Sequence, residues 1–191
     1  MKLIAIVRLT SSRGLARACQ ELVDAGLPAV EVTLTTPGAL DVVSRFGLGV
    51  GSVRTVSDVQ KAQEAGASFI VTPMVRPEVL AAASVPVVCG ALTPTEIDLA
   101  WSSGASYVKL FPASAFGPRY VREILAPMPE IPLIPTGGIT PELVPDYAAV
   151  GAAGVGVGSA LVNQSLVDDQ NWAELRRRAR TFLDAWPAST P

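Results

Sequence analysis

The chain has 191 residues, 49% of them apolar, a formal net charge of -2 and no histidine. That length and apolar content suit one core without a linker, and near-neutrality argues against nucleic acid or an anionic membrane as partner. Without histidine there is no Ser-His or Cys-His nucleophile pair and no His ligand for zinc, so acid–base chemistry must rest on carboxylate, lysine or hydroxyl.

The segment from Met1 to Arg8 joins a lysine to a short apolar run without a small-residue cleavage pattern, and reads as a first strand, IAIV. Seven further short apolar runs follow: AVEVTL, LGVGSV, SFIVTP, PVVCGA, YVKLFP, PLIPTGG and AGVGVGS. Each run but the last is followed by a segment of helical period. The last leads through a polar loop to a final helix near Asn171 to Trp186, where Trp172, Leu175, Ala179, Phe182 and Trp186 share one face and Arg176 to Arg178 read as a solvated one. No apolar stretch nears the ~20 residues that span a bilayer. Cys19 and Cys89 stand in no metal or redox spacing, so a reduced cytoplasmic protein with no metal site is expected.

The pieces DAGLPAVEV, EAGASFIV, SSGASYVKL and AVGAAGVGV each end a helix on glycine and enter a strand, a repeat of two βα units. Eight strands alternating with helices in so short a chain predict an α/β fold, a single (β/α)8 TIM barrel over residues 1–186 with a short tail at 187–191. An open doubly wound sheet stays open as the second architecture.

In a closed barrel alternate strand residues face the interior, so Tyr107, Lys109 and Phe111 share one side of the sixth strand and Glu31, Thr33 and Thr35 one side of the second. An isolated ionised side chain there costs several kcal/mol, which makes Glu31 and Lys109 either a buried structural ion pair or two halves of a reactive site. Their place near the carboxyl ends of strands is where barrel active sites lie. Arg8 ends the first strand as a rim residue or as a planar fork for a carboxylate. Ser52, Thr72, Thr93 and Thr136 set hydroxyls at strand ends, for substrate oxygens or for capping. PTGGITPE, with a helix expected near Pro141, and GVGSAL place Gly137, Gly138, Gly158 and Ser159 after the last two strands, where backbone N–H groups can cradle a phosphate.

Together IAIVR, AVEVTL, GVGSV, IVTP, CGALTPTE, KLFPAS, PTGGITPE and GVGSAL resemble, over nearly the whole chain, the 2-keto-3-deoxy-6-phosphogluconate aldolase family. The resemblance implies Lys109 as the imine-forming residue and Glu31 as general acid and base. It implies Gly137, Gly138, Gly158 and Ser159 as the phosphate site, and Ser52, Thr72, Pro73, Phe111 and Thr136 as substrate contacts. It implies no cofactor, a phosphorylated keto acid and pyruvate as small-molecule partners, and a homotrimer. Thr35 stands where the phosphogluconate enzymes carry a carboxylate-binding arginine; Arg8 and the SAFGP segment at Ser114 to Pro118 are similar to the phosphogalactonate branch. Two other readings are a phosphate-binding barrel isomerase or synthase without covalent lysine chemistry, and a non-catalytic sugar-phosphate-binding barrel.

Overall fold

The computed structural model describes residues 2–187, so residues 188–191 of the expected tail lie outside the described residues. Each of the eight apolar runs holds a strand: β1 (Leu3–Val7), β2 (Ala29–Thr33), β3 (Gly49–Gly51), β4 (Ile70–Thr72), β5 (Val87–Ala91), β6 (Tyr107–Leu110), β7 (Leu133–Pro135) and β8 (Val155–Val157). All pair in parallel, in the order β7-β6-β5-β4-β3-β2-β1-β8. The seam between β7 and β8 is drawn together by Ala153 N–H donating to Leu133 O at 2.9 Å and by an isolated parallel bridge from Thr136 to Gly156. The sheet is thus a nearly closed (β/α)8 barrel, and the open-sheet alternative is set aside.

The helices are α1 (Leu15–Asp24), α2 (Ala39–Phe46), α3 (Val56–Glu64), α4 (Pro77–Ala81), α5 (Pro94–Ser102), α6 (Gly117–Leu125), α7 (Val144–Ala149), α8 (Gln164–Asp168) and α9 (Trp172–Ala185). Both faces of every strand are covered, which is why the strands read as apolar runs. Outward residues such as Val30, Val32, Val50, Val108 and Leu110 join the layer between sheet and helices. Inward residues Ile4, Ile6, Ala29, Phe69, Val71, Val88 and Ile134 form a separate plug in the barrel interior, with Tyr107 packed against it. A side chain at Gly49 would collide with the Phe69 ring, so that inward glycine lets the plug's largest member fit.

Gly26, Gly66, Gly104 and Gly151, one from each repeat piece, have φ of 83°, 75°, 93° and 91°. The repeat therefore records four left-handed helix ends that glycine adopts without steric cost. Three local readings change. The helix expected near Pro141 begins as a 3-10 turn over Pro141–Leu143 before α7. The polar loop after β8 contains α8, whose N-cap is Asn163. Arg176 is not simply a solvated residue: with Arg17 it holds Glu21, a carboxylate only 3% exposed, each at 2.5 Å, and so ties α9 to α1. The arginine bonds keep that carboxyl below the usual range, Arg176 contributing most.

Candidate active site

Strand parity and register set the interior at the carboxyl end of the barrel. Ile6 on β1 is level with Glu31 on β2, and Lys109 on β6 is level with Gly90 on β5 and Ile134 on β7. Above the apolar plug the inward side chains turn polar. Glu31, Thr33, Lys109 and Thr136 are all buried there, Lys109 being 7% exposed.

A cavity of about 360 Å³ opens beside Lys109 and Thr136 along the arc from β6 through β7 and β8 to β1, and neither Glu31 nor Thr33 is in its lining. Lys109 and Phe111 form its β6 wall, Thr136, Gly137 and Gly138 its β7 wall, Gly158 and Ser159 its β8 wall, and Ile6 and Arg8 its β1 wall. Eight of the twelve residues expected at the site therefore meet in one space. It is also lined by Ile139, Thr140, Ala160, Val162, Asn163 and Gln164, none of which the sequence reading singled out. Those residues belong to the loops beyond β7 and β8, where no strand or helix period marks direction; the Asn163 cap of α8 is the one local signal, a side-chain oxygen taking the Leu166 N–H at 3.0 Å.

Lys109 has no hydrogen bond and no ion pair among the described residues; its ammonium lies 5.3 Å from the centre of the Phe111 ring. The buried structural ion pair with Glu31 is thereby excluded, because no carboxylate stands within 4 Å of it. What remains is an amine facing a cavity.

Glu31 is 1% exposed and its Oε2 has no hydrogen-bond partner. Burial pushes its carboxyl above the ordinary carboxylate range, while the charges of Lys109 and then Arg8 pull the other way. It needs Gly51 beside it: a Cβ there would stand 2.8 Å from Glu31 Oε1 and 3.3 Å from Thr33 Cγ2. A neighbouring hydroxyl chain runs from Thr35 to Thr33 at 3.0 Å and on to Thr36 at 3.1 Å. Thr35 itself is exposed, on the segment just beyond β2. The Arg8 guanidinium, at the rim, has no ion pair or hydrogen bond among the described residues.

On the β7 wall, Gly137 and Gly138 have φ of 99° and 71°. A Cβ at Gly138 would sit 2.8 Å from Ser114 Cβ, so the backbone there is both left-handed and closely approached. On β8, a side chain at Gly156 would collide with Thr136 Oγ1, so the glycine provides the room that the inward Thr136 occupies.

Thr72 is not in the cavity lining. Phe69 and Val71 point inward on β4, so Thr72 points outward. Its hydroxyl lies 3.0 Å from Met74 O and accepts the Gly90 N–H at 3.3 Å. Pro73 contributes backbone rather than a cavity wall, crossing so close to β5 that a side chain at Gly90 would collide with it. Ser52 follows β3 in the left-handed region with φ of 62°, half-buried and off the cavity lining. Thr93 caps α5, accepting the Glu96 N–H while the Glu96 carboxylate takes the Thr93 N–H.

The fold and cavity are those of a TIM-barrel enzyme with its ligand site at the carboxyl ends of the strands. The family model for KDPG and KHG aldolases matches residues 1–178. The 2-dehydro-3-deoxy-6-phosphogalactonate aldolase of Escherichia coli K12 is 36% identical, over 97% of this chain and 95% of that protein. The solved structure of native KDPGal superposes with a TM-score of 0.87 at 33% identity, covering 97% and 94% of the two chains. That of KDPG aldolase from Legionella pneumophila, with pyruvate captured as a covalent carbinolamine, gives 0.82 at 26% identity, covering 93% and 91%. The chain belongs to the KDPG and KHG aldolase family, and it is a lyase of the class I aldolase type.

Proposed function

We propose that the chain cleaves a 2-keto-3-deoxy-6-phospho sugar acid to pyruvate and glyceraldehyde 3-phosphate through an imine on Lys109. The observation that carries this reading is a nearly buried lysine with no hydrogen bond or ion pair among the described residues, facing a cavity whose far walls are two glycine loops. The covalent pyruvate in the Legionella relative is the same chemistry.

Lys109 Nζ adds to the C2 ketone to give a carbinolamine, which loses water to a protonated imine. Glu31, held toward its neutral form by burial, donates the proton that the departing hydroxyl needs and becomes a carboxylate. That carboxylate then takes the C4 hydroxyl proton as the C3–C4 bond breaks and its electrons pass to the imine, leaving an enamine. Protonation at C3 and hydrolysis release pyruvate and return the lysine.

Arg8 binds the substrate carboxylate, the role for which Thr35 has no charge. Gly137, Gly138, Gly158 and Ser159 hold the phosphate by backbone N–H groups, and Phe111 and Thr136 line the path between the two ends. Ser52 and Pro73 act from the rim. Metal independence, a homotrimer and a cytoplasmic location belong to the same proposal; among the described residues no group of three His, Cys, Asp or Glu is placed to hold a metal.

The test is pyruvate release from the phosphogalactonate and phosphogluconate substrates, with and without EDTA. Cleavage of at least one, unchanged by chelator, is expected. No release from either overturns the substrate class, and loss with EDTA overturns metal independence.

A further inference from the structure

Arg8 is the first residue beyond β1, whose ladder to β2 ends at Val7 paired with Val32. No strand partner fixes the backbone that carries it, and among the described residues its guanidinium has no hydrogen bond or ion pair. What fixes the following two residues is a pair of side chains from opposite flanks. The Leu9 N–H donates to Thr36 Oγ1 at 3.1 Å, and Thr36, 2% exposed, is anchored in turn on Thr33. On the other flank the Thr10 N–H and the Thr10 hydroxyl both donate to Gln164 Oε1, at 2.8 and 3.0 Å.

The Gln164 amide is itself oriented. Its Nε2 donates to Asp168 Oδ1 at 2.8 Å, one turn further along α8, so the oxygen is the atom presented to Thr10. Gln164 is the first residue of α8, directly after the loop that begins with Gly158 and Ser159, and it lines the cavity with Arg8. Asn163, beside it, donates from Nδ2 to Ser159 O at 3.3 Å. One segment therefore holds both the β8 glycine arm and the backbone just beyond Arg8.

We propose that Gln164 is a positioning residue for Arg8: its amide oxygen fixes the β1–α1 loop so that the guanidinium meets the substrate carboxylate at a set distance from the phosphate arm. The inference rests on reading Arg8 as the carboxylate-binding group. It assigns Gln164 an indirect role, through Thr10, with no requirement that the amide touch substrate.

Pyruvate carries the carboxylate and no phosphate, so the pyruvate concentration that half-saturates borohydride trapping reports the Arg8 end alone. It is measured for the full chain, Arg8→Gln, Gln164→Leu and the double variant, alongside the trapping rate at saturating pyruvate. Gln164→Leu should raise the half-saturating concentration about tenfold, the effect of two lost hydrogen bonds, and leave the saturated rate unchanged. The double variant should be no weaker than Arg8→Gln alone, since a residue acting through another adds nothing once that one is gone. Thr10→Val, which removes one of the two donors at a solvent-exposed position, should shift the same quantity in the same direction by less.

If Arg8→Gln weakens trapping while Gln164→Leu and Thr10→Val do not, or if the two effects multiply, Gln164 does not act through Arg8. If Arg8→Gln itself leaves trapping unchanged, the carboxylate role of Arg8 fails first and the positioning role with it.

Discussion

Lys109 and Glu31 project from β6 and β2, strands four places apart in an eight-stranded barrel, so they face each other from opposite walls outside ion-pair distance. The two still feel one another: burial raises the Glu31 carboxyl above its ordinary value, and the Lys109 charge is the largest influence pulling it back.

The two roles should separate on substitution. Glu31→Gln retains the shape of the side chain and removes its acid–base function, so kcat for cleavage should fall by about 10²–10⁴-fold, the usual contribution of one positioned acid or base. Capture of pyruvate by Lys109 under borohydride should fall by less, because it needs Glu31 only for the loss of water from the carbinolamine and not for carbon–carbon cleavage. Steady-state cleavage and trapping measured on the same preparation check this, and equal loss of both would contradict it.

Folding stability should carry the signature of the same carboxyl. Its folded value is raised, mainly by burial, so the folded protein binds this proton more tightly than the unfolded chain. Below the ordinary carboxylate value both states are protonated and Glu31 adds no pH dependence. As pH rises above that value the unfolded state ionises first, and Glu31's contribution to stability falls until the folded value is passed. Denaturant unfolding across that range should show Glu31→Gln losing less stability toward neutral pH than the parent; parallel curves would refute it.

Gly51 is the space into which Glu31 fits. A methyl group 2.8 Å from Glu31 Oε1 forces the carboxyl to move. Gly51→Ala should therefore lower kcat at least tenfold, in keeping with the sensitivity of catalysis to misplacement of about 1 Å, with pyruvate trapping reduced by less. The ratio of the two activities is the readout.

Gly138 tests the phosphate end. A Cβ there meets Ser114 Cβ at 2.8 Å on a backbone with φ of 71°. Gly138→Ala should raise KM for phosphorylated substrate by about tenfold or more, the effect of one or two lost charge-assisted hydrogen bonds, and should leave the half-saturating pyruvate concentration alone. A matching change in both would place Gly138 outside the phosphate contact.

Period and parity made the barrel legible. Eight apolar runs gave eight strands, and counting along YVKLFP and AVEVTL put Lys109 and Glu31 inside because a closed sheet offers only two faces. The same parity at Phe69 and Val71 turns the Thr72 hydroxyl outward, which its place at a strand end alone does not reveal. Gly137 and Gly138 mark the β7 wall because their positive φ leaves a trace in residue type, and Gly156 marks β8 because Thr136 packs against it. Gln164 left none: its meeting with Thr10 spans 154 positions, and nothing local to either residue encodes it. The distinction between an ion pair and two separate groups was equally hidden, because it depends on strand order around the barrel rather than on either strand.

Every step of the proposed cycle passes through an imine on Lys109. Incubation with pyruvate and borohydride, followed by peptide mass mapping, locates that bond. A single reduced pyruvate adduct on Lys109, absent from Lys109→Ala, is the predicted result. An adduct on Lys2 or Lys61 instead, or trapping in Lys109→Ala at the parent rate, would contradict the account.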